Sequence, residues 1–369
     1  MHVLVTADTL GGVWTYTREL VTGLSQRGVG VTLVSFGEIP TPAQSEWLDG
    51  LRNVDYRATA FRLEWMQKAR EDLQASSKFL KQVIAETKPD LLHLSQYGYG
   101  ALDCGIPKVI VAHSDVVTWW AAVHSDLPRE SEWIHGYREI VTQGLAGADS
   151  VVAPSHWMLN ALRECYGSLQ NGTVIYNGRN PGLFNPHVSK EDLVVSIGRA
   201  WDKGKQISLL SEARHMTPVW IAGAEKHPDP AFQDGSQRPD RGRGVRFIGL
   251  QSEAQIRHLF ARASVYAATS QYEPFGLAPV EAAFSRCALI MNDIPSFREL
   301  WGETACYFQR NSAVDLASKI RELQHDRELR LTYANLAYRR AKQRFTAERM
   351  VGEYLALYRS LVSAEVVAA

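Results

Sequence analysis

Residues 266–293 constrain the fold of this chain more than any other part of its sequence. At their centre, residues 272–281 read Tyr-Glu-Pro-Phe-Gly-Leu-Ala-Pro-Val-Glu. The preceding residues 263–269 have the apolar character of a short buried strand, and residues 282–284 continue the apolar spacing of a helix. A strand that runs through a short loop into a helix is the repeating unit of a parallel α/β sheet. The segment therefore predicts an α/β fold with this junction at a sheet edge.

The loop at this junction has the features of an anion site between two carboxylates. Pro279 fits the first helical turn because its missing N–H would have no partner there, and Gly276 lets the backbone approach a ligand. The amides of residues 275–277 can then point at an anion, which the helix dipole favours. Glu273 and Glu281 lie on either side, and carboxylates accept hydrogen bonds from hydroxyls. The pair indicates sugar hydroxyls flanking a phosphate, although capping is the ordinary reason for glutamates at a helix start.

The order Glu-Pro-Phe-Gly-Leu-x-Pro-x-Glu resembles the signature loop of the retaining glycosyltransferases of family 4. The resemblance implies that Glu281 holds the ribose hydroxyls of a nucleotide sugar and that Glu273 contacts the donor sugar. It also implies that Phe275, Gly276 and Leu277 help to bind the donor. The fold that it implies is GT-B, in which two Rossmann-like doubly wound domains face a central cleft and a C-terminal helix crosses back to the first domain.

A β-loop-α-β pattern opens the chain. Residues 2–6 and 29–36 are apolar strands, and residues 14–27 have the spacing of an amphipathic helix. Gly11 and Gly12 in the first loop can place backbone amides at the helix N-terminus, where a phosphate can approach. They do not form a Gly-x-Gly-x-x-Gly fingerprint, so no dinucleotide site is predicted. The loop is similar to the family's first glycine-rich loop, which implies a donor-binding role for both glycines.

His113 follows the apolar strand of residues 108–112, at the end of the strand where α/β sheets bind ligands. A histidine at such a position is more often structural than functional. The resemblance nevertheless implies that His113 lines the donor-sugar pocket. Asp115, two residues later, could equally cap the next helix.

A turn near the middle divides the sequence into two halves. Residues 173–178 read Thr-Val-Ile-Tyr-Asn-Gly and prolines follow closely, which is typical of a domain boundary. With the boundary placed here, the resemblance implies an acceptor-binding domain over 1–178, a nucleotide-sugar-binding domain over 179–345 and a C-terminal helix over 346–369 that packs on the first domain. The 369 residues suffice for two domains with separate cores.

The second half repeats the strand-to-loop pattern with a basic loop. Residues 193–197 form a strand, and Gly198, Arg199 and Lys205 follow it. Arginine and lysine can neutralise a diphosphate, although solvated surface charge is the ordinary explanation of such residues. The resemblance implies that Gly198 binds the donor and that Arg199 and Lys205 stabilise the leaving diphosphate. The family spacing is one residue shorter, so Lys203 stays an alternative to Lys205.

Three longer segments complete the expected secondary structure. The sequence has helical spacing over residues 65–87 and again from residue 313 nearly to its end. Residues 226–244 are rich in proline, glycine and charge, and we expect them to form an exposed loop.

The resemblance implies a retaining glycosyltransferase that moves a hexose from a nucleotide diphosphate sugar to a hydroxyl. No two aspartates are separated by one residue, the pattern by which other transferases hold a divalent ion, so no metal or other cofactor is expected. Arg199, Lys205 and helix amides would then neutralise the leaving diphosphate, which itself takes the acceptor's proton. The alternatives are a phosphorylase or epimerase that uses the same pocket, and a non-catalytic nucleotide-sugar-binding protein.

Charge and composition bear on the partners of the chain. The formal net charge is zero, so no global field attracts nucleic acid. Residues 1–180 carry 15 Lys+Arg against 19 Asp+Glu, which disfavours docking of the first half on anionic lipid. We expect a UDP-sugar donor and a saccharide or small glycoside acceptor; a lipid-linked acceptor at a membrane surface is the alternative. Four cysteines without metal spacing, no apolar run of about 18 residues and no signal peptide favour a cytoplasmic protein.

Overall fold

The computed structural model describes residues 1–9, 11–226 and 244–368, with side chains as far as residue 363. Most of the predicted exposed loop, residues 227–243, therefore lies outside the described residues. The chain forms two compact units. The first unit comprises Met1–Ala121, Asp126–Gly178 and Ala347–Ala369, and the second comprises Ala122–Ser125 and Arg179–Thr346.

The first unit contains a seven-stranded parallel sheet. Its strands are β1 (His2–Asp8), β2 (Gly30–Phe36), β3 (Val54–Ala58), β4 (Leu91–Leu94), β5 (Lys108–Val111), β6 (Ser150–Ala153) and β7 (Gly172–Val174). They lie in the order β3-β2-β1-β4-β5-β6-β7. The inner five residues of β1 are all buried, as expected for a parallel strand covered on both faces.

The second unit contains a six-stranded parallel sheet. Its strands are β8 (Glu191–Ile197), β9 (Val219–Ala222), β10 (Val245–Gly249), β11 (Ala263–Ala268), β12 (Ala288–Asn292) and β13 (Cys306–Phe308). They lie in the order β10-β9-β8-β11-β12-β13. Strand β11 pairs with β8 on one side and β12 on the other, so the predicted strand of residues 263–269 is central in its sheet.

Helices alternate with the strands in both units. Those of the first half are α1 (Gly12–Gln26), α2 (Pro42–Ser45), α3 (Arg70–Thr87), α4 (Val116–His124), α5 (Glu132–Gly147) and α6 (His156–Tyr166). Those of the second half are α7 (Ser208–Ser211), α8 (Glu253–Arg262), α9 (Leu277–Phe284), α10 (Pro295–Trp301), α11 (Ala313–His325), α12 (Arg327–Arg344) and α13 (Ala347–Ala368). A helix that directly follows a strand, as α9 follows β11, begins at the carboxyl edge of its sheet.

The last helix, α13, belongs to the first unit. Met350, Val351, Tyr354 and Tyr358 are 0% exposed and share one hydrophobic cluster with apolar residues of α1 and of the sheet. A second cluster covers the opposite set of strand side chains. Helices therefore bury both faces of the first sheet, which explains its continuous apolar strands.

One expectation of helix extent is wrong in detail. The helix expected over 65–87 begins only at Arg70, because Lys68 has a φ of 58° in the left-handed region and interrupts regular helical backbone before it. The stretch expected to be helical from residue 313 consists of three helices, α11, α12 and α13. Asp326 separates the first two, with extended backbone and a side chain that accepts from Leu329 N.

Each sheet has one point at which the strand order reverses. In the first sheet this point lies between β1 and β4, and in the second it lies between β8 and β11. Loops that follow these strand pairs leave in opposite directions and open a crevice at the carboxyl ends, where doubly wound sheets bind ligands. The loops after β1 and β8 carry the predicted glycines, and the loop after β11 carries the central motif.

Candidate functional site

Two loops meet at the point of strand reversal in the second sheet. Residues 198–206 follow β8, and residues 269–276 follow β11. The backbone N–H groups of Gln271 and Tyr272 donate to the carbonyl oxygen of Gly204, at 2.9 and 3.3 Å. The basic loop and the central motif, which are about 70 residues apart in sequence, are thus joined by main-chain hydrogen bonds.

Lys205 and Glu273 form an ion pair across these two loops. Lys205 Nζ donates to Glu273 Oε2 at 2.6 Å, and Ser270 Oγ donates to the same oxygen at 3.2 Å. The two charged side chains are 24% and 16% exposed, so both can be reached by a ligand. Lys203 is an exposed residue. Of the two alternative lysines, Lys205 is the one that the fold brings to Glu273.

The backbone at Gly276 requires glycine and opens helix α9. Its φ is 86°, in the left-handed region, and a Cβ there would lie 3.1 Å from Glu273 Cγ. Leu277 is the first helical residue, and α9 has no side-chain cap among the described residues. Phe275 is 4% exposed and its ring packs on Phe345 at 5.3 Å, so only its backbone can serve a ligand. The first amides of α9 are therefore the part of the candidate site that can bind an anion.

Gly198 packs closely after β8, whereas Arg199 makes its contacts within its own loop. A Cβ at Gly198 would lie 2.9 Å from Ile207 Cδ1, so the residue lets the loop pack tightly after β8. Arg199 pairs with Asp202 Oδ2 at 2.6 Å and lies over the Trp201 ring, with 48% of its side chain exposed. Its guanidinium is held within its own loop and has no contact with Glu273 among those that the structure describes.

Glu281 is paired with an arginine that the sequence analysis missed. Arg179 Nε lies 2.8 Å from Glu281 Oε1, and the Glu281 side chain is 12% exposed. Arg179 is the residue directly after the Asn-Gly turn of the domain boundary, 102 positions before Glu281. No local pattern in the sequence indicates this pairing.

Asn292 is a second residue that the sequence analysis missed. It ends β12, is 0% exposed, and its Nδ2 lies within 3.3 Å of the carbonyl oxygens of Thr269 and Ser270. It thereby fixes the start of the loop that carries Glu273. A polar residue at the end of an otherwise apolar strand was the available signal.

The first unit places its predicted glycines at the carboxyl end of β1. Gly11 precedes α1 with a φ of 71°, and Gly12 is the first residue of that helix. A Cβ at Gly11 would meet no atom within 4 Å among the described residues. The positive φ therefore favours glycine at this position, and steric crowding does not.

His113 follows β5 and contacts other residues at the same sheet edge. Its ring lies 4.5 Å from that of Tyr16, and its Nε2 lies 3.5 Å from Ser95 Oγ. Burial lowers the pKa of His113 to about 3, so the imidazole is neutral near pH 7. Asp115 accepts a hydrogen bond from Thr118 N at 2.7 Å, which is the helix-capping role that the sequence left open.

The described part of the chain lacks two features, a group of metal ligands and a membrane-spanning helix. Within it, no three histidine, cysteine or acidic side chains come together as a group able to hold a metal ion. No helix there is both long enough and apolar enough to cross a bilayer.

Known proteins with similar sequences or structures include a mannosyltransferase, a glycogen synthase and a protein solved with UDP-glucose. The lipopolysaccharide core biosynthesis mannosyltransferase LpcC of Rhizobium leguminosarum is 29% identical over 52% of this chain, and the match spans only 60% of LpcC. A glycogen synthase of Mycobacterium tuberculosis is 24% identical over 92% of this chain and 87% of that protein. Anabaena Alr3699/HepE, solved in complex with UDP-glucose, superposes with a TM-score of 0.75 at 17% identity over 98% of this chain and 100% of that chain.

Two family models together account for most of the sequence. The model described as Glycosyltransferase Family 4 matches residues 10–183, and the model described as Glycosyl transferases group 1 matches residues 184–340. The two doubly wound parallel sheets and the structural match confirm the GT-B class expected from the central motif. The chain therefore belongs to the family 4 glycosyltransferases, with a group 1 glycosyl transferase second half.

Proposed function

We propose that the protein is a retaining, metal-independent glycosyltransferase that moves a hexose from UDP to a hydroxyl of a saccharide or small glycoside. One observation carries the proposal above the others. A cation, Lys205, a carboxylate, Glu273, and the amino end of α9 meet at the point of strand reversal in the second sheet. Such a group can bind a diphosphate and sugar hydroxyls together.

Each residue of the second unit has a role in this proposal. Glu281 accepts hydrogen bonds from the ribose hydroxyls, and Glu273 accepts them from hydroxyls of the donor sugar. Lys205, Arg199 and the amides of residues 275–277 neutralise the diphosphate as it leaves. To do so, Arg199 exchanges Asp202 for phosphate, which is feasible because the guanidinium is half exposed.

His113 of the first unit binds the donor sugar as a neutral imidazole. Its lowered pKa supports a hydrogen bond to a sugar hydroxyl and argues against a charged general acid near pH 7. The bond between the anomeric carbon and the phosphate oxygen breaks, and the acceptor oxygen forms its new bond to the anomeric carbon on the same face. The proton of the acceptor hydroxyl passes to the leaving phosphate oxygen. No side-chain nucleophile is then required, and Glu273 serves in binding.

The proposed donor base and acceptor rest on the similar proteins. The Anabaena structure holds UDP-glucose in a similar fold, which supports uridine. A glycogen synthase matches most of the chain, which supports a saccharide acceptor. The name of the Rhizobium relative points instead to lipopolysaccharide, so a lipid-linked acceptor is the second candidate.

Calorimetry with UDP, GDP and ADP, with and without EDTA, tests the donor site on the wild type and on Glu281→Ala. We expect one nucleotide, UDP, to bind in the micromolar range whether or not EDTA is present. The Glu281→Ala variant should lose most of this affinity because ribose loses its carboxylate partner. Turnover is then followed as release of free UDP from UDP-glucose when saccharides are offered, and binding without release would favour a non-catalytic protein.

Glu191→Ala is the matched control for this experiment. Glu191 also pairs with an arginine, at 2.7 Å from Arg262, but it lies at the opposite end of β8 from Gly198. Its replacement should leave nucleotide affinity unchanged. If no nucleotide binds, or binding requires a divalent ion, the proposed donor site is wrong.

A further inference from the structure

Arg179 is a fully buried charge in the second unit. Its side chain is 0% exposed, and its guanidinium meets two carboxylates. Nη2 donates to Glu253 Oε1 at 2.8 Å, while Nε lies 2.8 Å from Glu281 Oε1. A buried guanidinium is stable only when its charge is compensated in this way, so the two contacts determine where the side chain lies.

The rest of Arg179 is also fixed. Its backbone N–H donates to Phe345 O at 3.0 Å, and its guanidinium carbon lies 5.6 Å from the centre of the Phe184 ring. The residue pairs with Thr346 in an isolated parallel bridge. Contacts of its backbone and of its guanidinium thus hold Arg179 in one position, with Nε beside Glu281.

The consequence for Glu281 is a carboxylate that lies against a buried cation. The contact with Arg179 Nε is made by Oε1, one of two carboxylate oxygens that can accept hydrogen bonds. One guanidinium serves two carboxylates here, so the trio has a formal net negative charge.

We propose that Arg179 is a positioning residue for ribose recognition. It holds the Glu281 carboxylate in the orientation that accepts the vicinal hydroxyls of the nucleotide. The inference rests on the proposed function, in which Glu281 binds ribose. Arg179 touches neither the donor nor the acceptor.

The test measures how strongly the protein distinguishes a ribose from one without hydroxyls. Affinities are measured for UDP, GDP and ADP and for their 2′,3′-dideoxy counterparts, on the wild type, Glu281→Gln and Arg179→Met. The wild type should prefer the ribose form of the bound nucleotide by about tenfold or more, since hydrogen bonds to a charged acceptor are lost in the analogue. Both variants should lose this preference while binding the dideoxy nucleotide within about twofold of the wild type.

Two further variants keep the test decisive. Arg179→Met with Glu253→Gln preserves the net charge of the trio if the single variant does not fold, and it should lose the ribose preference in the same way. Arg262→Met removes an arginine that pairs with Glu191, and it should keep the full preference.

The outcomes separate this inference from the proposed function. If the wild type binds none of the three nucleotides, or shows no preference for ribose, both fail. If Glu281→Gln loses the preference and the Arg179 variants keep it, Glu281 stands and the role of Arg179 is overturned. Equal weakening of both nucleotide forms in the Arg179 variants, with a lowered melting temperature, also overturns it, because the residue then only supports the fold.

Discussion

The ion pair between Lys205 and Glu273 predicts different behaviour for two neighbouring lysines. Of the two, Lys205 is the one that contacts Glu273, beside which the proposed function places the leaving diphosphate. We expect Lys205→Ala to lower kcat by about 10²–10³-fold, the usual effect of removing one group that stabilises transition-state charge. Lys203→Ala, the matched variant at an exposed position, should stay within about twofold of the wild type. Initial rates of UDP release at saturating donor provide the comparison.

Thermal unfolding of both lysine variants serves as the control, because Lys205→Ala leaves Glu273 without its partner. A large loss of kcat in Lys203→Ala with little change in Lys205→Ala would contradict the assignment. It would mean that the basic loop rearranges when the donor binds.

His93 predicts a pH dependence of stability in the first unit. It is 0% exposed, with Nε2 3.2 Å from the Tyr16 hydroxyl and Nδ1 2.6 Å from the Tyr358 hydroxyl. Burial, together with the neighbouring His113, lowers the pKa of His93 to about 3. In the unfolded chain a histidine has a pKa of about 6.5. The neutral ring therefore contributes stability that is complete above pH 6.5 and is lost as the pH falls towards 3.

The expected loss from His93 is about 2 kcal/mol between pH 7 and pH 5, at 1.36 kcal/mol per pH unit below the unfolded pKa. Urea unfolding followed by tryptophan fluorescence measures it, because seven of the ten tryptophans lie in residues 1–157. His93→Gln should be less stable at pH 7 and should show a shallower dependence on pH. His325→Gln, at an exposed helix end, should keep the wild-type slope, and equal slopes in all three proteins would refute the prediction.

Roles that follow from a local sequence motif could be predicted from the sequence. Roles that depend on contacts between segments far apart in the sequence could not. Glu273 and Gly276 belong to one loop motif, and Lys205 follows a strand at a recognisable distance. Arg179 acquires its partners only when the fold brings a segment 74 positions away in sequence, at Glu253, against it. Nothing in its own neighbourhood distinguishes it from a surface arginine.

At the scale of elements, helices α1 and α13 pack most closely at Gly23. A Cβ at Gly23 would lie 2.5 Å from Val351 Cγ2, and Val351 is 0% exposed. Gly23→Ala should therefore destabilise the protein by about 1–3 kcal/mol, the usual cost of overpacking. Combined with Val351→Ala, which removes both methyl groups, the same substitution should stabilise by up to about 1 kcal/mol through helix propensity.

A double-mutant cycle of urea unfolding free energies tests this reversal of sign. Gly136→Ala is the control, because a Cβ there in α5 meets no described atom within 4 Å and should only add helix propensity. Additive effects of Gly23→Ala and Val351→Ala would show that the two helices do not pack here.

Element type followed from periodicity, but element ends depended on single backbone conformations. The apolar runs of β1 and β11 and the junction into α9 are local patterns, and the fold has them where the sequence indicates. The helix expected from residue 65 begins at Arg70, because Lys68 adopts a left-handed conformation that side-chain spacing does not reveal. At Gly276 a positive φ falls on a glycine, which adopts it without strain.

At the scale of the whole molecule, charge is divided between the two halves. Residues 1–180 carry four more acidic than basic side chains, and the remaining residues carry four more basic than acidic ones. Each lysine or arginine near an anionic membrane contributes about 1 kcal/mol of attraction, and acidic side chains oppose it. If the first half binds the acceptor, as we expect, its net negative charge makes it poorly suited to a membrane-bound substrate.

Sedimentation with vesicles that contain about 30% anionic lipid decides between the two acceptor classes. We expect the protein to stay in the supernatant at 0.15 M salt, where the Debye length is about 8 Å, and to do so equally with neutral vesicles. Cosedimentation that weakens as salt is raised would contradict the prediction, because it would reveal a local basic surface that outweighs the net charge. The saccharide acceptor would then give way to the lipid-linked one, while the donor site at Lys205 and Glu273 would be unaffected.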